Sequence, residues 1–232
     1  MSSRIHAAEL APIATPTPFP VGDVSVFLWK GDPLTLIDTG TNTDDAWRAL
    51  VAGLRGAGVG IGDVERVLLT HHHADHAGLL GRIQDTTDVE VYGHPDIREH
   101  ARLSGADGHA HTEYSKTLLV SLGVPEPYAD KGLEQWGRFR RFVAPYRVDK
   151  DFEEGVPVGV FTPYFVPGHS ATDTLLADFG GGRTITGDHI LESINPNPLL
   201  RRPVKGRPRP RSLVEYQASL KRSRALPLGR CY

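Results

Sequence analysis

The chain has almost no thiol: one of its 232 residues is cysteine, Cys231. A single thiol excludes a disulfide framework and a zinc site built from thiolates, and it fits a reducing compartment. Nowhere do about 18 apolar residues run together, so no membrane-spanning helix is expected. The opening MSSRIHAAELAPIATPTPFPVGD lacks the apolar stretch of an export signal, and a cytoplasmic protein is expected. Charge of one sign is also missing. With 26 Lys and Arg against 28 Asp and Glu the net charge is −2, which predicts no bulk attraction to nucleic acid or anionic membrane. Partners must therefore be argued from local features. Neither a short-period repeat nor a linker divides the sequence, and one domain over residues 1–232 is expected.

Hydrophobic content of 39% and charged content of 23% suit a globular chain with a real core. After a Pro-rich entry, residues 23–40 give two short apolar runs around Lys30-Gly31-Asp32-Pro33, the pattern of a hairpin. Residues 41–58 place Trp47, Leu50, Val51 and Leu54 at helical spacing, with Thr41 or Thr43 as N-cap and Gly56 or Gly58 as stop. VERVLLT (64–70) reads as a buried strand. VEVYGH, from Val89, gives another short strand, and residues from about 95 to 145 read as mostly helical, an insertion or lid. The β pattern returns in GVPVGVFTPYFVPGHS and TDTLLADFGGGRTITGDHI, with Gly180-Gly181-Gly182 as a turn. A Pro- and Arg-rich loop (195–212) and an amphipathic helix (213–226) complete the chain.

The densest chemistry follows the 64–70 strand. LLTHHHADHAGLL (68–80) packs four histidines and an aspartate into six consecutive positions. A strand that ends in His-x-His projects alternate side chains the same way, so His71 and His73 suit one ion while His72 points elsewhere. Asp75 and His76 fall where the next helix begins and aim in a different direction, toward a second ion or a shared edge. An exposed polar turn is the alternative. Downstream, VPGHSATD places His169, and TITGDHI places Asp188, each just after a strand.

THHHADHAG, VPGHS and TGDHI, with LIDTG upstream, resemble the motifs of the metallo-β-lactamase-fold hydrolases, including the hydroxyacylglutathione hydrolases (glyoxalase II). They run in the family's order over nearly the whole chain, except the helical segment near 95–145. The resemblance implies an α/β fold, a four-layer αββα sandwich of two mixed β-sheets with outer helices. It implies that His71, His73 and His169 hold a first metal, that Asp75 and His76 hold a second, and that Asp188 bridges them. Asp38 of LIDTG corresponds to a residue that supports the site as a hydrogen-bond acceptor; a carboxylate capping the strand end is the alternative. One or two zinc ions are implied, with iron or manganese as substitutes. Such ions lower the pKa of bound water from about 16 toward about 7 and polarise the substrate's oxygen. Asp75 is then the residue that orients the attacking hydroxide or passes a proton to the leaving group.

The dinuclear members carry a further histidine after their last helix, and no histidine follows His189 here. Truncation at the C-terminus, a weak second site or substitution by His189 would each account for this. Truncation is the preferred account, and His189, following Asp188 in a strand-like run, is expected to face the opposite side.

For substrates, His109 and His111 offer a gate in the lid or are solvated loop residues. Trp136, Phe139, Phe142 and Tyr146 form a stripe at helical spacing, suited to packing on the sheet or on a partner subunit in a homodimer. Arg201, Arg202, Lys205, Arg207, Arg209 and Arg211 form a basic loop without interleaved aromatics, either solvated or laid along a phosphate backbone. The leading expectation is an enzyme, a metal-dependent hydrolase acting by water attack on an ester, thioester or lactone of a small-molecule substrate. The alternatives are a phosphodiesterase or ribonuclease binding nucleic acid through the basic loop, an iron persulfide dioxygenase using His71 or His73 with His169 and Asp188, and an inactive binding relic.

Overall fold

The short apolar runs of the sequence become strands of two separate sheets. A computed structural model describes residues 9–98, 107–137, 141–199, 201–203 and 208–232. They group into two units. One runs up to Leu69 and includes His73–Gly93 and Phe142–Asp151; the other takes Thr70–His72, His94–Arg141 and Phe152–Tyr232.

The first unit is built on a six-stranded sheet in the order β1 to β6. β1 (Leu10–Thr15), β2 (Val24–Trp29) and β3 (Thr35–Ile37) are antiparallel neighbours. β4 (Arg66–Leu68), β5 (Glu90–Gly93) and β6 (Lys150–Asp151) continue in parallel. Val26, Leu28, Leu36, Ile37, Val67, Leu68 and Val91 are fully buried, the pattern of strands covered on both faces. The expected hairpin is the β2–β3 pair. Helix α1 (Asp44–Gly56) starts at Thr43, whose hydroxyl accepts from the Ala46 N–H at 3.1 Å, and it buries Ala46, Leu50 and Leu54. Two short helices follow β4, α2 (Ala74–Ala77) and α3 (Leu80–Gln84).

The second unit holds a four-stranded sheet in the order β10-β9-β8-β7. β7 (Thr162–Phe165), β8 (Thr174–Asp178) and β9 (Arg183–Ile185) form an antiparallel meander, and β10 (Arg230–Cys231) adds in parallel to β9. Gly181 N–H, in the glycine turn, donates to Asp178 Oδ1 at 2.8 Å. The segment read as mostly helical contains α4 (Asp107–Ser121) and α5 (Glu126–Gly137); Lys116 ties the two together by reaching Glu126 and Asp130 at 2.8 Å each. The last helix, α6, spans Ser212–Ser223.

Four expectations change. β4 stops at Leu68, so the histidine run lies in the loop beyond the strand. Asp188 and His189 sit in a 3-10 turn, Gly187–His189, because Thr186 (φ −96°, ψ −13°) leaves β9's extended backbone and Gly187 follows at φ 49°. The aromatic stripe is not one helix face: α5 ends at Gly137, and Phe142 lies in the first unit, 5.4 Å from Phe19 ring to ring. The side chains of His109, His111 and Trp136, with Phe139, Lys205 and Arg207, lie outside the described residues. Finally, β1 occupies the Pro-rich entry, with Pro12 on the edge strand, where a missing N–H costs no ladder bond.

Candidate metal centre

In the first unit, α2 starts at His73. That residue is extended (φ −67°, ψ 158°), and its carbonyl accepts from the His76 and Ala77 N–H groups at 3.1 and 2.9 Å. The imidazole of His73 makes no capping bond. One turn later stand Asp75 and the buried His76. His76 Nδ1 lies 2.8 Å from Asp38 Oδ2, and the Thr39 hydroxyl donates to the His76 carbonyl at 2.8 Å. Asp38 is buried and, among the described residues, is the only non-glycine with positive φ, 62°. Aspartate tolerates that left-handed backbone better than most residues, and strain of this kind persists where surrounding structure enforces it.

The Asp38 carboxylate can only accept, so Nδ1 of His76 carries a ring proton and, in the neutral imidazole, Nε2 carries the lone pair. His76 Nε2 stands 3.9 Å from Asp75 Oδ2. A lone pair facing a carboxylate oxygen is repulsive until a proton or a cation enters between them.

The second unit repeats this arrangement with different parts. His71 is buried, and its Nδ1 is 3.2 Å from the Thr70 hydroxyl. Its ring meets that of His169 edge to face, with centroids 5.4 Å apart. His169 Nδ1 lies 2.9 Å from the Asn197 carbonyl oxygen, again an acceptor only, so in the neutral imidazole Nε2 carries the lone pair. That Nε2 is 3.3 Å from Asp188 Oδ2. A ligand nitrogen of His71 lies within 4.8 Å of one on His169, and within 4.8 Å of an Asp188 carboxylate oxygen. Gly187 makes room for this: a Cβ there would sit 2.9 Å from Thr70 Cβ, so a glycine lets the Asp188 turn come up to the start of the histidine run.

The remaining polar groups of this unit hold loops. His72 turns aside, with Nδ1 2.8 Å from the Thr172 hydroxyl. Ser170 donates to the buried Asp173 carboxylate through its N–H at 2.8 Å and its hydroxyl at 2.5 Å. Burial pushes the Asp173 carboxyl up to about 6, against the pull of those two hydrogen bonds. His189 is buried and points away from Asp188, with Nε2 2.7 Å from the Ser223 hydroxyl; burial holds its imidazole down at about 4. The expected direction of His189 therefore holds, but it comes from the 3-10 turn and not from strand alternation. In the basic segment, Arg201 is engaged with Glu215 and donates to Ser212 Oγ at 3.2 Å.

Sequence reasoning missed Asn197, Ser170, Thr172 and Asp173. Asn197 acts through a main-chain carbonyl, which leaves no mark in a sequence. The Ser-x-x-Asp spacing of residues 170–173 was a legible turn pattern.

Imidazole nitrogens beside carboxylate oxygens form a donor set suited to a divalent metal ion. Residues 19–232 match the family model of the metallo-β-lactamase superfamily. The probable metallo-hydrolase YqjP of Bacillus subtilis (strain 168) is 38% identical over 217 residues, 92% of this chain and 67% of that protein. A metallo-β-lactamase family protein of Thermus thermophilus is 27% identical and superposes with a TM-score of 0.81, covering 96% of this chain and 72% of that one. The FEZ-1 metallo-β-lactamase of Legionella gormanii shares the fold at 20% identity, with a TM-score of 0.63 over 96% of this chain and 73% of that one. The chain belongs to the metallo-β-lactamase superfamily, and its two mixed sheets with helices are that fold. Its class is metal-dependent hydrolase. Among the described residues no helix is long and apolar enough to cross a membrane.

Proposed function

We propose that the chain hydrolyses an ester, thioester or lactone of a small molecule at a zinc centre. His71, His73 and His169 would hold one ion, Asp75 and His76 a second, with Asp188 shared. When bound, the metal supplies an activated water and polarises the substrate's oxygen. Asp38 and the Asn197 carbonyl hold the ring protons of His76 and His169, fixing each tautomer and making the outer nitrogen a better donor. Asp75 orients the attacking water and carries a proton toward the leaving group. His71 and His73 are separated only by His72, so the loop beyond β4 delivers both.

One observation carries the reading: in each unit an imidazole whose Nδ1 is committed to an acceptor presents its Nε2 to a carboxylate. The test is elemental analysis of protein purified without added metal, followed by assays on an aryl ester, a thioester and a lactone. At least one zinc per chain is expected, with turnover of one substrate class that chelation abolishes and zinc restores. Protein without metal, or turnover indifferent to chelation, would overturn the proposal.

A second reading is favoured by His71, His169 and Asp188 taken alone. Two imidazoles and a carboxylate suit a mononuclear iron centre that uses oxygen. Iron in place of zinc, with oxygen uptake on a persulfide substrate, would replace the first reading by this one.

A further inference from the structure

The buried face of α6 is made of serine. Ser212, Ser219 and Ser223 are its buried residues, while Leu213 and Val214 are exposed. Serine is a mediocre helix former, and a buried hydroxyl is costly unless it is hydrogen-bonded. A helix attached only for stability would turn its leucine and valine inward. The serines here instead reach the two loops that carry His169 and Asp188, all within the second unit.

Tyr216, Ser219 and Ser223 follow at intervals of three and four residues, which aligns them along one side of the helix. Ser219 donates to the carbonyl of Pro167, two residues before His169, at 2.8 Å. Gly168, the next residue, lies flat against the helix, and a Cβ there would stand 2.5 Å from Tyr216 Cβ. On the other loop, the Tyr216 hydroxyl donates to the carbonyl of His189 at 3.0 Å. Ser223 spends its hydroxyl proton on the Ser219 carbonyl, at 2.9 Å, so its oxygen accepts from His189 Nε2 at 2.7 Å. At the start of the helix Ser212 donates to the Leu199 carbonyl at 2.7 Å, and the Leu199 N–H donates to the His169 carbonyl at 3.3 Å.

We infer that α6 is a positioning element of the metal centre: Tyr216, Ser219 and Ser223 set the separation between His169 and Asp188 by fastening both of their loops to one helix face. None of the three touches the reacting atoms. The inference rests on His169 and Asp188 being metal ligands. It explains why the helix buries hydroxyls and exposes aliphatic side chains. An outer partner that orients a ligand typically contributes about 10–100-fold to metal affinity.

The test compares zinc affinity, by chelator competition, with the melting temperature of the metal-free protein. Tyr216→Phe deletes one hydroxyl and keeps the ring, Ser219→Ala deletes one hydroxyl, and His169→Ala and Leu213→Ala serve as references. Tyr216→Phe and Ser219→Ala are each expected to weaken zinc binding about tenfold in metal-free protein that still melts cooperatively, and Ser219→Thr to restore part of the loss. Leu213→Ala, on the exposed face, should leave affinity unchanged. If His169→Ala loses zinc while Tyr216→Phe and Ser219→Ala bind it as tightly as the parent, the positioning role is overturned and the metal reading stands. If His169→Ala keeps full affinity, the metal reading itself has failed. Should Ser219→Ala not fold, Tyr216→Phe alone decides, because it removes no buried packing.

Discussion

The two units hold a histidine in the same tautomer by different means. In the first, His76 donates to the carboxylate of Asp38, a buried residue forced into left-handed backbone. In the second, His169 donates to the main-chain carbonyl of Asn197, and its loop is pinned by a helix. A carboxylate adds negative charge behind the ring and makes the outer nitrogen a stronger donor than a neutral carbonyl does. A carbonyl gives the same orientation with no titratable group to protonate. The difference teaches that one requirement, a fixed lone pair, was met once by a side chain and once by main chain. Only the first solution is exposed to point mutation.

Asp38→Asn breaks the comparison hardest. The substitution keeps the shape, removes the charge and lets the amide N–H donate to Nδ1, which favours the tautomer protonated on Nε2, so zinc affinity should fall about 10–100-fold. Asn197→Ala should leave affinity almost unchanged, since the accepting oxygen belongs to the backbone. Chelator competition on both variants decides it. Equal losses in the two would mean that the Asn197 side chain matters and that the contrast is wrong.

Much of the scaffold was legible because it rests on local chemistry. Thr43 capping α1 and the β2–β3 hairpin follow from residue type and spacing, and the histidine run does fall just past a buried strand. The rest depends on partners distant in sequence. β6 and β10 are two residues long and exist only through pairing with β5 and β9, so no local pattern announces them. No strand was expected in the Pro-rich entry, and Pro12 is accommodated in β1 only because that strand lies on the sheet edge. For the candidate site, His71 was named from the His-x-His spacing, His169 and Asp188 from the motifs that carry the family resemblance, and the structure brings these three together. The hidden part is what holds them: a carbonyl at Asn197 and hydroxyls on α6, a segment legible in sequence only as an amphipathic helix.

Gly187→Ala sharpens the comparison from the second unit. The added methyl must adopt φ near 49° and meet Thr70 Cβ at 2.9 Å, a combination expected to cost about 1–3 kcal/mol. The Asp188 turn should relieve the clash by backing away from Thr70. Thermal melts with and without zinc should therefore show a smaller metal-induced rise as well as a lower baseline. A lower baseline with an unchanged rise would mean that the turn tolerates displacement without loss of the site.

The smallest effect belongs to Thr43→Ala. Its hydroxyl caps α1 in the first unit and touches none of the candidate ligands, so its loss should lower stability by about 1 kcal/mol with no change in zinc affinity. The variant matters because it separates two quantities that Gly187→Ala moves together. If loosening a helix remote from the ligands also weakened zinc binding, affinity would be following global stability. The effects assigned to Asp38 and α6 would then lose their local meaning. A cap whose removal costs stability alone shows that metal affinity reads the local fastening of imidazoles and carboxylates, the property in which the two units differ.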